Sequence, residues 1–168
     1  MDLEKVAIMR LRDGAEISKR YYDKPLMLCY SGGKDSDIIL DLAIKSGIDF
    51  EAQHSHTTAD APETVYHIRN KFNELESKGI KCNIDMPRYK GKPTSMWSLI
   101  VQKGIPPTRL VRYCCAILKE TGGKNRAIAT GVRRAESTKR RSKGIIETYS
   151  SNLSNRIVLN MTMTIRGR

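Results

Sequence analysis

The stretch Pro25–Leu42, PLMLCYSGGKDSDIILDL, decides the fold. Leu26 to Tyr30 form an apolar run that ends abruptly in Ser31-Gly32-Gly33-Lys34-Asp35-Ser36, and Ile38, Ile39, Leu42 and Ala43 then recur on one side of a helix. This reads as a buried strand, a tight polar turn and a helix start. Adjacent glycines let the backbone take positive φ and approach a ligand with no Cβ in the way. Successive N–H groups can then share one concavity, to which the helix start adds unpaired donors and partial positive charge. Ser31, Lys34 and Ser36 bring side-chain donors to the same place, so the turn is built to hold an anion.

Two common phosphate loops do not fit. A Walker A motif needs glycine five residues before its Gly-Lys and then Ser or Thr, but those positions hold Leu28 and Asp35. The spaced glycines of a dinucleotide fingerprint are missing as well. Ser-Gly-Gly-Lys-Asp-Ser instead resembles the PP-loop of the adenine nucleotide alpha-hydrolase superfamily, which implies a loop for ATP pyrophosphate or the phosphosulfate of an adenylyl sulfate. The competing reading is a Gly-rich turn without a ligand.

A chain of 168 residues, 39% hydrophobic and 29% charged, has the size and composition of one soluble globular domain. No apolar stretch approaches the roughly 20 residues that span a bilayer, and the first residues lack a signal peptide's apolar centre. The expectation is a cytoplasmic protein without a membrane partner. The net charge of +12 favours polyanions, whether phosphorylated metabolites or nucleic acid. The basic residues concentrate after Arg109, and a solvated basic face accounts for several of them. The four cysteines, Cys29, Cys82, Cys114 and Cys115, do not make a secreted disulfide framework.

Outside the central stretch, Leu3 to Tyr22 reads as a helix covering the sheet, with Gly14 against it. Ile48 to His56 reads as a second strand, and the strand–helix–strand order predicts a parallel unit with function at the carboxyl ends of its strands. His54 and His56 share one strand face, but no suitably spaced carboxylate or histidine completes a metal set, so hydrogen bonding or packing is the expectation. Pro62 and Glu63 suit the first turn of a helix that runs to Lys78-Gly79. Ile80 to Met86 is a third strand, Pro87 to Pro93 a basic loop, and Thr94 or Ser95 the cap of a short helix whose Trp97 is assigned to the core.

Cys29 and Cys82 lie in strand-like runs and read as core residues. Cys114 and Cys115, beside Arg109 and Arg112, are expected to ionise more easily than an isolated thiol. They offer half the ligands of an iron–sulfur or metal site, against the alternative of one buried and one exposed thiol on a helix. Arg126 to Gly131 reads as a strand running into Arg133, Arg134, Glu136, Ser137 and Arg140, a second set of oxyanion contacts or an exposed basic loop. Ile145–Tyr149 and Arg156–Asn160 are further short strands, and residues 161–168 an irregular tail. The whole is expected to be one domain, residues 1–168, with residues 1–24 as the covering helix.

Four ordered motifs now stand together: Ser31 to Ser36, Thr57 to Thr64 ending Pro62-Glu63-Thr64, Arg112-Tyr-Cys-Cys-x-x-x-Lys119, and Gly131-Val-Arg-x-x-Glu-Ser-x-x-Arg140. The set resembles the phosphoadenosine phosphosulfate (PAPS) reductase family from about Leu26 to Asn160. That resemblance implies an α/β fold in three layers, a mostly parallel twisted sheet flanked by helices, with an adenine nucleotide at the strand ends. Ser31, Gly32, Gly33, Lys34, Asp35 and Ser36 would hold phosphate or sulfate. Thr57, Asp60 and Glu63 would lie beside the nucleotide, and Gly131, Arg133, Glu136, Ser137 and Arg140 would close the anion side.

The sequence departs from the family pattern in places. Family members often read Asp-Thr-Gly where this chain has His56-Thr57-Thr58. The C-terminal cysteine of the reductases and the second cysteine pair of the iron–sulfur members are missing, which leaves the cluster set incomplete. A thiol reductant such as thioredoxin would serve an active reductase. The expectation is therefore a nucleotide-binding core of sulfur-metabolism ancestry whose reductase activity is in doubt. The alternatives are an ATP pyrophosphatase that adenylates a substrate with Mg²⁺ near Asp35, and a non-catalytic nucleotide- or nucleic-acid-binding module.

Overall fold

The computed structural model describes residues 2–132, 144–151 and 154–162. Helix α1 (Leu3–Tyr22) opens on Asp2, whose carboxylate accepts from Glu4 N–H, and closes at Asp23 in the left-handed region. Its buried face, Leu11, Gly14 and Ser18, packs on the sheet. The Ser18 hydroxyl reaches the carbonyls of Lys24 and Pro25, which ties the end of α1 to the strand that follows.

Strand β1 (Leu26–Cys29), helix α2 (Lys34–Ser46), strand β2 (Phe50–Ser55), helix α3 (Pro62–Ser77) and strand β3 (Cys82–Asp85) follow in the order the hydrophobic pattern predicts. Next come β4 (Arg88–Tyr89), β5 (Lys92–Pro93), helix α4 (Met96–Lys103) and a single π-helical turn at Cys115–Lys119. Strands β6 (Arg126–Val132), β7 (Ile146–Ser151) and β8 (Ser154–Thr162) complete the described chain. One six-stranded sheet has the order β3-β2-β1-β6-β8-β7. All its pairings are parallel except β7 with β8. The fold is thus α/β, a mostly parallel sheet flanked by helices.

Alternation along β1 divides the core. Leu26 and Leu28 join Leu11 of α1, Ile39 of α2 and Ile68, Phe72 and Leu75 of α3 in one large cluster, while Met27 faces the other way with Ile128 and Val158. That second face is approached by the connection from β3 to β6, where a Cβ on Gly123 would meet Ile128 and Met27. The sheet pattern matters because β2 and β3 lie on one side of β1 and β6 on the other. The chain reverses direction across the sheet between β1 and β6, and a crevice opens at such a switch point, outside the carboxyl ends of the strands.

Three expectations change. Pro87–Pro93, expected as a basic loop, contains the β4–β5 hairpin. Lys90 and Gly91 both have positive φ, 51° and 77°, which is the mirror-image two-residue turn that matches strand twist. Trp97 is not a core residue. It is 69% exposed, and Leu99 is the α4 side chain that is buried. Met161 and Thr162, expected in an irregular tail, extend β8 beside Gly131 and Val132.

Candidate functional site

The turn Ser31–Ser36 sits at the carboxyl end of β1 and is held from beneath. Tyr30 N–H donates to the Gln53 carbonyl and so continues the β1–β2 ladder by one residue. The buried Tyr30 hydroxyl donates to Asp37 Oδ1 at 2.6 Å, which leaves His67 Nε2, at 3.1 Å, to donate to the phenol oxygen. Burial and this bond to Asp37 push the phenol's pKa up, so it stays a proton donor. One side chain thereby joins β1, α2 and α3 directly behind the turn.

Within the turn Ser36 acts as a brace. Its buried hydroxyl donates to the Gly33 carbonyl at 2.7 Å and accepts from Ser31 N–H at 3.3 Å. Gly33 is the N-cap residue of α2, and no side chain caps that helix. Gly33, Lys34 and the Ser31 side chain lie on the exposed rim. The two glycines differ in role. Gly32 has φ of 74°, and a Cβ there would stand 2.9 Å from Ile68 Cγ1, whereas Gly33 has ordinary extended geometry and a Cβ there would make only van der Waals contact with Ser31 Oγ at 3.6 Å.

Gly131, near the end of β6, lies against this turn. A Cβ on it would lie 3.4 Å from Asp35 Cβ and 3.1 Å from Ile39 Cδ1, so the missing side chain lets the first turn of α2 seat against β6. The structure thus brings Ser31–Ser36 and Gly131 to one place. Arg133, Glu136, Ser137 and Arg140 lie outside the described residues.

The loop after β2 lies on the other side of β1 from β6. His56 N–H donates to the Asp85 carbonyl, and Thr57 N–H is accepted by Asp60 Oδ2 at 3.1 Å. Thr58 has φ of 62°, an uncommon conformation for a β-branched residue, at the position where the family pattern has glycine. Its hydroxyl compensates by donating to the Thr57 carbonyl and accepting from Met96 N–H at 2.8 Å, which ties the loop to the start of α4. Glu63 lies exposed in the first turn of α3.

This loop holds a grouping that the sequence pattern did not disclose. Asp60 folds back to 4.0 Å from His56 Nδ1, and one ligand-capable atom from each of His54, His56 and Asp60 lies within 4.8 Å of the others. The expectation that no carboxylate joins the two histidines is therefore corrected. A short-range signal existed in the four-residue spacing from His56 to Asp60, but it depends on a turn whose geometry is set by side-chain bonds. His54 is buried, and desolvation lowers its pKa despite the bond to the Tyr30 carbonyl.

Cys114 and Cys115 are both half-buried at the π-helical turn, rather than one buried and one exposed, and Arg112 reaches the Cys115 sulfur at 3.8 Å. Among the described residues no third His, Cys, Asp or Glu ligand gathers around them. Cys29 and Cys82 are distant sheet thiols, each pushed up to about 11 by burial.

The sequence model of the phosphoadenosine phosphosulfate reductase domain matches residues 25–161. No curated protein matches the sequence. Among solved structures, the FMN adenylyltransferase of Candida glabrata, crystallised with FAD and inorganic pyrophosphate, is similar over 94% of this chain at 13% identity and a TM-score of 0.47. The chain spans 52% of that protein. No helix among the described residues is long and apolar enough to cross a membrane.

Proposed function

The chain belongs to the phosphoadenosine phosphosulfate reductase domain family, and we propose that it binds an adenylyl nucleotide in the crevice between β1 and β6. The observation that carries this reading is the Ser31–Ser36 turn itself. It ends in a helix start that no side chain caps, it presents Lys34 and Ser31 at the rim, and Gly131 abuts its first turn. A helix start favours an anion through its N–H donors and its dipole. Lys34 adds a full charge to the same rim.

In this reading Ser31, Gly32, Gly33 and Lys34 receive the phosphate or phosphosulfate, and Ser36 keeps the turn in shape. Thr57, Asp60 and Glu63 belong to the wall beside the nucleoside. Arg133, Glu136, Ser137 and Arg140 follow Gly131 in the chain and are assigned to the anion side by the family motif. Where ATP is the ligand, Mg²⁺ accompanies its phosphates and Asp35 is the carboxylate of the turn assigned to it.

The test is calorimetric titration of the full chain with ATP, adenylyl sulfate and PAPS. One of the three is expected to bind, and Lys34→Ala is expected to weaken it about 10- to 100-fold, the equivalent of a hydrogen bond to a charged group. Binding of none of them by well-folded protein refutes the proposal. Sulfite release with thioredoxin as reductant and pyrophosphate release from ATP then separate a sulfonucleotide reductase from an ATP pyrophosphatase. Retention of duplex nucleic acid instead of nucleotide would point to a binding module.

A further inference from the structure

We propose that His54, His56 and Asp60 form a site for a divalent transition-metal ion of the zinc class. The inference begins with His54, which is only 6% exposed. Its Nδ1 lies 3.0 Å from the Tyr30 carbonyl oxygen. A carbonyl only accepts, so Nδ1 carries the proton and Nε2 presents its lone pair. That buried Nε2 has no hydrogen-bond partner among the described residues. A neutral imidazole with its far nitrogen held by a backbone carbonyl is the arrangement in which histidine serves as a metal ligand.

The other two groups are placed by the backbone. His56 follows β2 two residues after His54 and emerges on the same side, and the Thr57–Asp60 turn carries Asp60 back to 4.0 Å from His56 Nδ1. Ligand atoms of a tetrahedral zinc site, each about 2.0–2.1 Å from the ion, lie about 3.3 Å apart. The three atoms here lie within 4.8 Å of one another. Closing the set around His54 requires the half-buried His56 and Asp60 side chains to rotate inward. Two imidazoles and one carboxylate suit a borderline ion and not Mg²⁺ or Ca²⁺, which take oxygen ligands. The two histidines also line a pocket with Val65, Ile68, Arg69 and Met86, through which an outside ligand would reach an ion held there.

The site shares Asp60 with the wall assigned to the nucleoside, and it is tested without nucleotide so that the two readings fail separately. The full chain, stripped with a chelator, is titrated with Co²⁺ while ligand-field absorption is recorded, and Zn²⁺ is then added to displace it. One Co²⁺ per chain is expected, with tetrahedral intensity and no thiolate charge-transfer band. His56→Ala and Asp60→Asn, each verified as folded by circular dichroism, are expected to weaken binding at least about tenfold, since loss of even an outer partner of a ligand costs about 10- to 100-fold. A Cys114→Ser/Cys115→Ser double variant is expected to titrate as the wild type does. Absence of Co²⁺ and Zn²⁺ binding by folded protein overturns the proposal. So does binding that survives both ligand variants, or that is lost in the cysteine variant.

Discussion

Replacing Gly32 with alanine should damage the fold far more than the same change at its neighbour Gly33. At Gly32 the φ of 74° costs an L-residue about 1–2 kcal/mol. The new Cβ would also stand 2.9 Å from Ile68 Cγ1 and 3.1 Å from Ile68 Cδ1. Ile68 is wedged in the core and cannot swing aside, and overpacking of this kind costs about 1–3 kcal/mol. Together these give about 2–5 kcal/mol, a large part of the roughly 5–15 kcal/mol that holds a domain together. At Gly33 the φ of −94° suits alanine, and the nearest atom is Ser31 Oγ at 3.6 Å. Only the poorer N-cap preference of alanine counts there, about 1 kcal/mol or less. Urea unfolding followed by far-ultraviolet circular dichroism separates the two. With a slope of about 1–3 kcal/mol/M, Gly32→Ala should lower the midpoint by about 1 M or more. Equal midpoints for the two variants, or a larger drop for Gly33→Ala, would refute the assignment of Gly32 to the α3 contact.

Other perturbations read other parts of the structure. Arg126 bonds Glu51 and the Pro25 carbonyl across β6, β2 and β1, so Arg126→Met should cost about 1.5–3 kcal/mol in the same urea assay. Burial raises the Glu51 pKa, but bonds and charge from Arg126 and Lys81 outweigh it and hold the carboxyl below its ordinary 4.5. A depressed folded pKa gives stability that is complete above the unfolded value and lost as pH falls through the folded one. The wild-type advantage over Glu51→Gln should therefore be flat through neutral pH and shrink only below about pH 4.5; an advantage that shrinks between neutral pH and that point would contradict the pairing. Cys29 and Cys82, with pKa values raised to about 11, should resist iodoacetamide at pH 8 in folded protein and react once it is unfolded, as peptide mass mapping would record. Trp97, 69% exposed, should emit at long wavelength and be quenched readily by acrylamide; a blue-shifted, protected emission would show that α4 is covered in solution.

The scaffold was legible because its signals are local. The apolar run Leu26–Tyr30, the Gly47 stop with φ of 68° and Pro62 at the start of α3 each act within a few residues, and the elements appear where those signals put them. Tertiary packing is less visible. Gly14 looks like a weakness in α1, yet a Cβ there would lie 2.5 Å from Leu159, so the residue is set by a strand nearly the whole chain away. Trp97 fits the apolar pattern of α4, but a helix of eight residues buries one narrow face, and Leu99 takes it.

The loop after β2 shows the limit most clearly. Strand alternation correctly puts His54 and His56 on one side, but it says nothing about a carboxylate beyond the strand end. Asp60 returns because Thr57 N–H bonds its carboxylate and because Thr58 accepts a left-handed backbone, held by the Met96 N–H. A strained residue persists only where its surroundings over-determine it. Here the surroundings are α4 on one side and the Asp60 carboxylate on the other, so the turn proposed to face the nucleoside also brings Asp60 to the histidines. Thr58→Gly removes the strain and the link to α4 together. If α4 holds the turn, that variant should keep its unfolding free energy in urea within about 1 kcal/mol of the wild type, as the two terms offset, while its Co²⁺ affinity falls as Asp60 loosens. A variant that binds Co²⁺ as tightly as the wild type would show that the turn positions Asp60 without help from α4.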